Sequence, residues 1–339
     1  MEGAMSSSPN SRIALVTGGN KGIGLEVCKQ LASNGITVVL TARDQARGTA
    51  AVQELKRLGF SDVIFHQLDI TDALSIARLV DFLENRFERL DILLNNAAIG
   101  GTERPPLCGS MPVDKKVQQF DGMDKNQRLE WLFKNCRETY QATKQCLQTN
   151  YYGTKQLARV FGRRKPDTEP FTRVIRGEKI RDLHALTEAL LPLLQCSPDG
   201  RIVNVSSSVG LLRQFRNEEL TQELNDIDQL TEKRLDDLLD MFLKDFETGR
   251  VQVRGWPAEF PAYKVAKAAM NAYSRILHWK HPALCVYCAD PGFTSTDMTL
   301  NTGLLTPDEG ARNIVKVALL PDGELTGAYF QEGQQASFL

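Results

Sequence analysis

A short apolar run, Ile13-Ala14-Leu15-Val16, stops at a turn rich in glycine, and Leu25 to Leu31 then shows helical spacing. Strand, glycine turn and helix in immediate succession commit the chain to a βα unit whose backbone can approach a ligand closely. Gly18, Gly22 and Gly24 can take dihedrals closed to other residues and put no Cβ between main chain and ligand. The helix start beyond them offers unbonded N–H groups and a partial positive charge. The turn reads Thr17-Gly18-Gly19-Asn20-Lys21-Gly22-Ile23-Gly24, a TGxxxGxG spacing rather than GxGxxG. A glycine turn alone can be a plain tight turn. With this strand before it and this helix after it, a phosphate-bearing nucleotide is the ligand it suits.

The same alternation continues. Thr37–Thr41 reads as a strand and Asp44–Leu58 as an amphipathic helix. Val63–His66 is a third strand, followed by a helix from Thr71 to Phe87 with Thr71-Asp72 as its cap. Asp91–Asn95, Arg201–Ser206, Leu284–Cys288 and Gly327–Phe330 supply four more strands. Gln127–Thr149 is predicted as one helix, Asn217–Thr248 as an acidic helical stretch, and Pro261 opens a helix that runs to Trp279. Thr306-Pro307-Asp308-Glu309 starts the last helix. Strands joined by crossover helices predict an α/β, Rossmann-type doubly wound, mostly parallel seven-stranded sheet with helices on both faces, plus helical insertions. Residues 12–339 are expected to form one domain behind a disordered tail, 1–11, with insertions near 101–148, 158–186 and 213–256.

Composition narrows the function. The 339 residues carry a net charge of −1, so neither nucleic acid nor an anionic membrane surface is an expected partner. No run approaches ~20 uninterrupted apolar residues, and Met1–Ser11 lacks the apolar core of a secretory signal. Seven scattered cysteines make no disulfide framework, which points to a reduced, cytoplasmic protein. Cys285 and Cys288 have CxxC spacing but sit in an apolar run and read as buried strand residues. Histidines 66, 184, 278 and 281 make no metal-ligand pattern, and His278 and His281 read as solvated helix surface.

The reactive chemistry is carried by few residues. Tyr263 and Lys267 lie four apart on one predicted helix and so share a face. A phenol near pKa ~10 is a poor acid–base group at neutral pH, and a nearby ammonium favours its phenolate form. Ser207 ends a buried strand and Asn150 precedes a helix, and a hydroxyl can hold a carbonyl oxygen while the tyrosine exchanges its proton. The order TGxxxGxG, Asn95-Asn96-Ala97-Ala98, Asn150, Val205-Ser206-Ser207, Tyr263-xxx-Lys267 and Asp290-Pro291-Gly292 resembles the short-chain dehydrogenase/reductases over residues 12–335. It is most similar to their carbonyl-reductase-like branch, through Thr17–Leu25, Leu40-Thr-Ala-Arg43 and Gly255-Trp-Pro257, and within it to plant reductases of terpenoids and alkaloids.

That resemblance implies roles, each an expectation. Tyr263 is the acid in ketone reduction and the base in alcohol oxidation. Lys267 lowers the tyrosine's pKa and binds the nicotinamide ribose. Ser207 positions the carbonyl oxygen while Ser206 supports the loop. Asn150 holds a water in a relay towards Lys267. Asn96 lines the cofactor cleft, Asp69 and Ile70 the adenine pocket, and Pro291-Gly292 the nicotinamide site. The separation of 56 from Ser207 to Tyr263, and the helical segment before Asn150, resemble that branch and imply a monomer. The substrate implied is a small-molecule carbonyl or alcohol.

Cofactor choice follows from charge. NAD sites put an acidic residue at the end of the second strand to bind the ribose 2′-hydroxyl. Here Ala42 and Arg43 stand at that place, and with Lys21 they offer two cations to a 2′-phosphate, so NADP(H) is the expected cofactor. Asp44 is acidic, but as a helix cap its side chain should turn to the backbone.

Residues 158–186 depart from the pattern. They are arginine-rich, hold Pro166 and Pro170, lack periodicity, and interrupt the helix that begins beside Asn150. They read either as a looped-out insertion or as untranslated sequence read through. A disabled, cofactor-binding protein with little catalysis is the rival to the enzyme on this ground. Deleting 158–186 is expected to leave or raise thermal stability and reductase activity; loss of folding on deletion is the opposing result.

Overall fold

The computed structural model describes residues 11–103, 120, 122–155, 186–321 and 325–339. The predicted tail, most of the 101–125 loop, and the 158–186 insert up to residue 185 lie outside the described residues.

Eight strands form one sheet: β1 Ile13–Val16, β2 Thr37–Ala42, β3 Val63–Gln67, β4 Ile92–Asn95, β5 Arg201–Val205, β6 Cys285–Asp290, β7 Tyr329–Gln331 and β8 Gln334–Ala336. Their order is β3-β2-β1-β4-β5-β6-β7-β8. All neighbours pair in parallel except β7 and β8, which are antiparallel. Seven strands were expected and the eighth is a correction. It holds two exposed glutamines and one part-buried alanine, so no hydrophobic pattern marks it. A two-residue turn creates it instead: Glu332 and Gly333 both take positive φ, 52° and 74°, which reverses the chain onto β7.

The parallel strands β1, β2, β4, β5 and β6 are buried at every position, as two helix-covered faces require. One face carries helices α1 (Gly22–Ser33), α2 (Gln45–Arg57) and a C-terminal helix at Pro307–Ala318, packed around Val27, Leu31, Leu55 and Ile314. The other carries α3 (Ala73–Arg86) and a helix at Pro261–Lys280, around Leu79, Leu83, Ala269 and Ile276. Each fully buried aliphatic side chain here contributes about 1.5–3 kcal/mol. Cys285 and Cys288 are buried and unbridged, and three positions apart on β6 they belong to opposite faces.

The helix expected over 127–149 is broken. It resolves into α4 (Lys125–Asn135) and α5 (Tyr140–Leu147), separated by an extended segment. In that gap Arg137 bridges to Glu103, whose N–H donates to the Arg137 carbonyl at 2.8 Å, and the Thr139 hydroxyl then caps α5. The acidic stretch 217–248 is likewise two helices, α7 (Glu218–Asn225) and α8 (Glu232–Glu247), numbered after α6 at Leu186–Gln195. The buried side of α8 is closed by Trp256, whose indole N–H donates to Asp245 at 2.9 Å. His278 corrects another expectation: it is half-buried, with Nδ1 3.2 Å from the Thr326 hydroxyl, because the turn at Gly327 packs on its ring. The helix Pro261–Lys280 is α9 and that at Pro307–Ala318 is α10.

Candidate active site

Strand order reverses between β1 and β4, and the chain leaves these two strands in opposite directions. A crevice at such a switch point lies outside the C-terminal strand ends, and here it is a cleft of about 670 Å³. The predicted glycine turn forms its floor. Gly18 and Asn20 through Gly24 line the cleft, with Gly18 and Gly22 at φ of +64° and +56°. A Cβ on Gly24 would stand 2.4 Å from the Gly18 carbonyl oxygen and 2.5 Å from Asn96 Nδ2, so α1 can begin here only with glycine.

Asn96 does more than line the cleft. Its Nδ2 donates to the carbonyls of Thr17 and Gly18 at 2.9 and 3.2 Å, while the Thr17 hydroxyl accepts from the Asn96 and Ala97 N–H groups at 2.9 Å each. Its neighbour Asn95 reaches the opposite way, donating to Asn204 at 2.8 Å and Thr187 at 3.1 Å beneath the sheet end. The turns after β1 and β4 are thus sewn together before any ligand arrives.

At the far end of the cleft stand Ala42, Arg43, Asp69 and Ile70. Arg43 is exposed, and Asp44 turns to the backbone as expected, its Oδ1 accepting from the Arg47 N–H at 2.9 Å. Asp69 is held by Thr71, which donates through both N–H and hydroxyl at 2.9 and 2.7 Å. Lys21 lines the cleft and is engaged within the protein. Its Nζ is paired at 2.5 Å with Asp297, from a loop at Ser295–Asn301 that overhangs the cleft. That loop lies nearly 280 residues away in sequence, so no local pattern announces the pair.

Tyr263 and Lys267 both face the cleft from α9. Pro261 sits at the first helical turn as predicted, and Phe260 before it is left-handed, φ 51°. Lys267 is buried; its Nζ lies 5.6 Å from the Tyr263 ring centroid and donates to the Val205 carbonyl at 2.6 Å. Burial is the main influence on both groups. It pushes the Tyr263 phenol above its ordinary range, with the charges of Cys146 and Asp290 adding to it, and brings the Lys267 ammonium down to about 8.

Ser207 and Asn150 are not among the cleft-lining residues. Ser207 caps a short turn, its hydroxyl accepting from the Val209 N–H at 3.5 Å, whereas Ser206 is buried and donates to Asn271 at 2.6 Å. Of the two serines it is Ser206 that lines the cleft. Asn150 lies at the centre of a π turn, Gln148–Tyr152, that continues α5. Its side-chain amide is used up on Ile99, accepting from the N–H and donating to the C=O at 2.8 Å each. Pro291 lines the cleft, and Gly292 follows it at φ +87°. Among the described residues no group of acidic, histidine and cysteine side chains could hold a metal ion, and no helix is long and apolar enough to cross a membrane.

A family model described as short chain dehydrogenase matches residues 12–161. Salutaridine reductase of Papaver bracteatum is 40% identical over 335 residues, covering 96% of each chain. The (+)-neomenthol dehydrogenase of Capsicum annuum is 39% identical over 340 residues, 97% of this chain and 98% of that one. The solved structure of salutaridine reductase from Papaver somniferum superposes with a TM-score of 0.77 at 39% identity, covering 94% of this chain and 99% of that one. The chain belongs to the short-chain dehydrogenase/reductases, oxidoreductases that use nicotinamide cofactors. Within them it is similar to plant reductases of specialised metabolism.

One residue of this region was not anticipated. Glu138, in the gap between α4 and α5, reaches the start of α9, where its Oε1 accepts from the Ala262 N–H at 3.4 Å. Phe260 supplies no side-chain cap, so a carboxylate from another element serves the N-terminus that carries Tyr263. Burial pushes the Glu138 carboxyl up to about 7, against the pull of the Ala262 N–H. The folded protein thus keeps a proton that the unfolded chain releases near the ordinary value of 4.5, and its stability falls as pH rises from 4.5 to 7. Glu138→Gln should gain on the parent across that window by roughly 1–3 kcal/mol in urea melts. A gap that does not change with pH is the refuting result.

Proposed function

We propose that this chain reduces a ketone or aldehyde on a small, largely apolar molecule of terpenoid or alkaloid type, with NADPH as hydride donor. The observation that carries the reading is Tyr263 and Lys267 on one helix face, opening into the same cleft as the glycine turn. Ile99, Ala142, Met298 and Leu300 add apolar surface to that cleft, which suits an apolar substrate. The names of the plant relatives support it.

The residues fit the cofactor. The N-terminus of α1 and the Cβ-free approach at Gly24 suit a pyrophosphate, and Ile70 with Asp69 would hold the adenine end. Arg43, with no acid at the end of β2, would take the 2′-phosphate. Lys21 would join it by exchanging its bond to Asp297 for the phosphate. The cofactor supplies the hydride; the remaining work falls to this chain.

Tyr263 is the proton donor to the carbonyl oxygen. Its raised pKa keeps the phenol protonated at neutral pH, which favours the reductive direction. Lys267, still largely cationic below about 8, would stabilise the phenolate left behind and bind the ribose in place of the Val205 carbonyl. Ser207 would turn its hydroxyl from Val209 to the substrate oxygen. For Asn150 the side chain is engaged with Ile99, so its main-chain carbonyl, to which the Thr154 hydroxyl donates at 3.5 Å, is the group that would hold the relay water.

Tyr263→Phe should lower kcat by at least about 10²–10⁴-fold, against a panel of cyclic ketones and enones with product analysis, while NADPH binding persists. An unaltered protein that binds NADPH and turns over nothing on the panel would point to the cofactor-binding role instead. Arg43→Glu should raise the KM for NADPH at least tenfold more than that for NADH, the loss expected for a charge-assisted phosphate contact of about 1.5–3 kcal/mol. Equal effects on the two cofactors would remove the assignment.

A further inference from the structure

Asp290 is the last residue of β6 and is 4% exposed. Its Oδ2 accepts from the Ser208 N–H at 2.8 Å, across 82 residues of sequence, and its Oδ1 accepts from the Gly292 N–H at 2.9 Å. The Tyr329 hydroxyl adds a longer contact to Oδ2 at 3.4 Å. β5 and β6 are adjacent, with Val205 beside Ala289, so the Ser206–Ser208 turn and the Pro291-Gly292 turn leave the sheet next to each other. One carboxylate spans the gap between them.

We propose that Asp290 is a positioning residue that locks the serine turn to the Pro291-Gly292 turn, so that the Ser207 hydroxyl is held at a fixed place beside the nicotinamide wall; this rests on the carbonyl-reductase reading above. Every partner of the side chain is a donor: the Ser208 and Gly292 N–H groups, the Ser208 hydroxyl and a phenol. Only a group with acceptors on both sides fits. An asparagine of the same shape must aim its NH₂ at one of the two N–H groups, and flipping it only moves the conflict to the other. The contact to Gly292 is local and would order that turn in any case. The contact to Ser208 is not local: it joins the residue after Ser207 to the end of β6, beyond the Ser206 N–H bond to the Ala289 carbonyl. The charge is felt in the site too, since Asp290 is among the groups that raise the proton affinity of Tyr263 and Lys267.

The test is a double-mutant cycle of Asp290→Asn with Ser207→Ala, on the full chain, read by kcat and KM for a reduced ketone, by NADPH fluorescence titration and by thermal melting. Asp290→Asn should lower kcat by about 10–100-fold, as misplacing a catalytic group does, with the ketone KM changed less than about threefold. In the Ser207→Ala background the same substitution should cost less than about threefold in kcat, because no hydroxyl remains to be placed. NADPH binding should weaken several-fold in both backgrounds, through the loosened Gly292 turn. Equal kcat losses in the two backgrounds would show a merely structural residue and overturn the proposal. Should the unaltered protein reduce none of the ketones, the reductase reading fails by itself, and an unchanged NADPH affinity in Asp290→Asn then overturns the clamp as well. If Asp290→Asn does not fold, Asp290→Ala, which removes both acceptors without adding a competing donor, is read by the same outcomes.

Discussion

The hydrogen bonds that Asn96 sends to the carbonyls of Thr17 and Gly18 hold the structure open where it has to be open. At the switch between β1 and β4 the chain departs to opposite faces of the sheet, and nothing in the strand ladders closes the gap beyond the strand ends. Asn96 and the Thr17 hydroxyl join the two turns there, and the buried Asn95–Asn204 contact ties them to β5. Backbone carbonyls left without partners in such a place would each cost on the order of 1–3 kcal/mol. The glycine turn keeps its shape because this bracing is polar, specific and complete on the protein side.

The second half of the site depends on burial more than on charge. α9 is packed from Pro261 to Leu277 against the sheet and its neighbours, with Lys267 buried and Tyr263 partly buried. The cost is that both titratable groups are poorly solvated. The phenol moves up and the ammonium down, so the neutral forms of both are favoured relative to water. Asp290 restores some negative charge behind them, and Glu138 closes the helix start from a distant segment. Of the two carboxylates, Glu138 contacts α9 directly, at its N-terminus, while Asp290 acts on Tyr263 and Lys267 only through its charge.

Much of this was readable from the chain because its signals are local and periodic. Seven strands, the cap Asp44 and Pro261 at the helix start follow from short stretches of sequence. The misses share a cause. β8 exists through backbone turn geometry at Glu332-Gly333, and the break at 136–139 exists because Arg137 pairs with Glu103. The Asn150 amide is engaged by Ile99, from a turn about 50 residues earlier. A contact between distant segments leaves no periodic trace in either one.

By itself the sequence determined the alternation of strands and helices, the place of the glycine turn, and the residue types able to exchange a proton beside it. Those properties depend on side-chain volume, polarity and spacing within a few turns of chain. The tertiary structure alone decided that Lys21 rests on Asp297, that Glu138 caps α9, that Asn150 spends its amide on Ile99, and that Asp290 ties Ser208 to Gly292. Each joins groups tens to hundreds of residues apart, brought within 3.4 Å only when the sheet is complete.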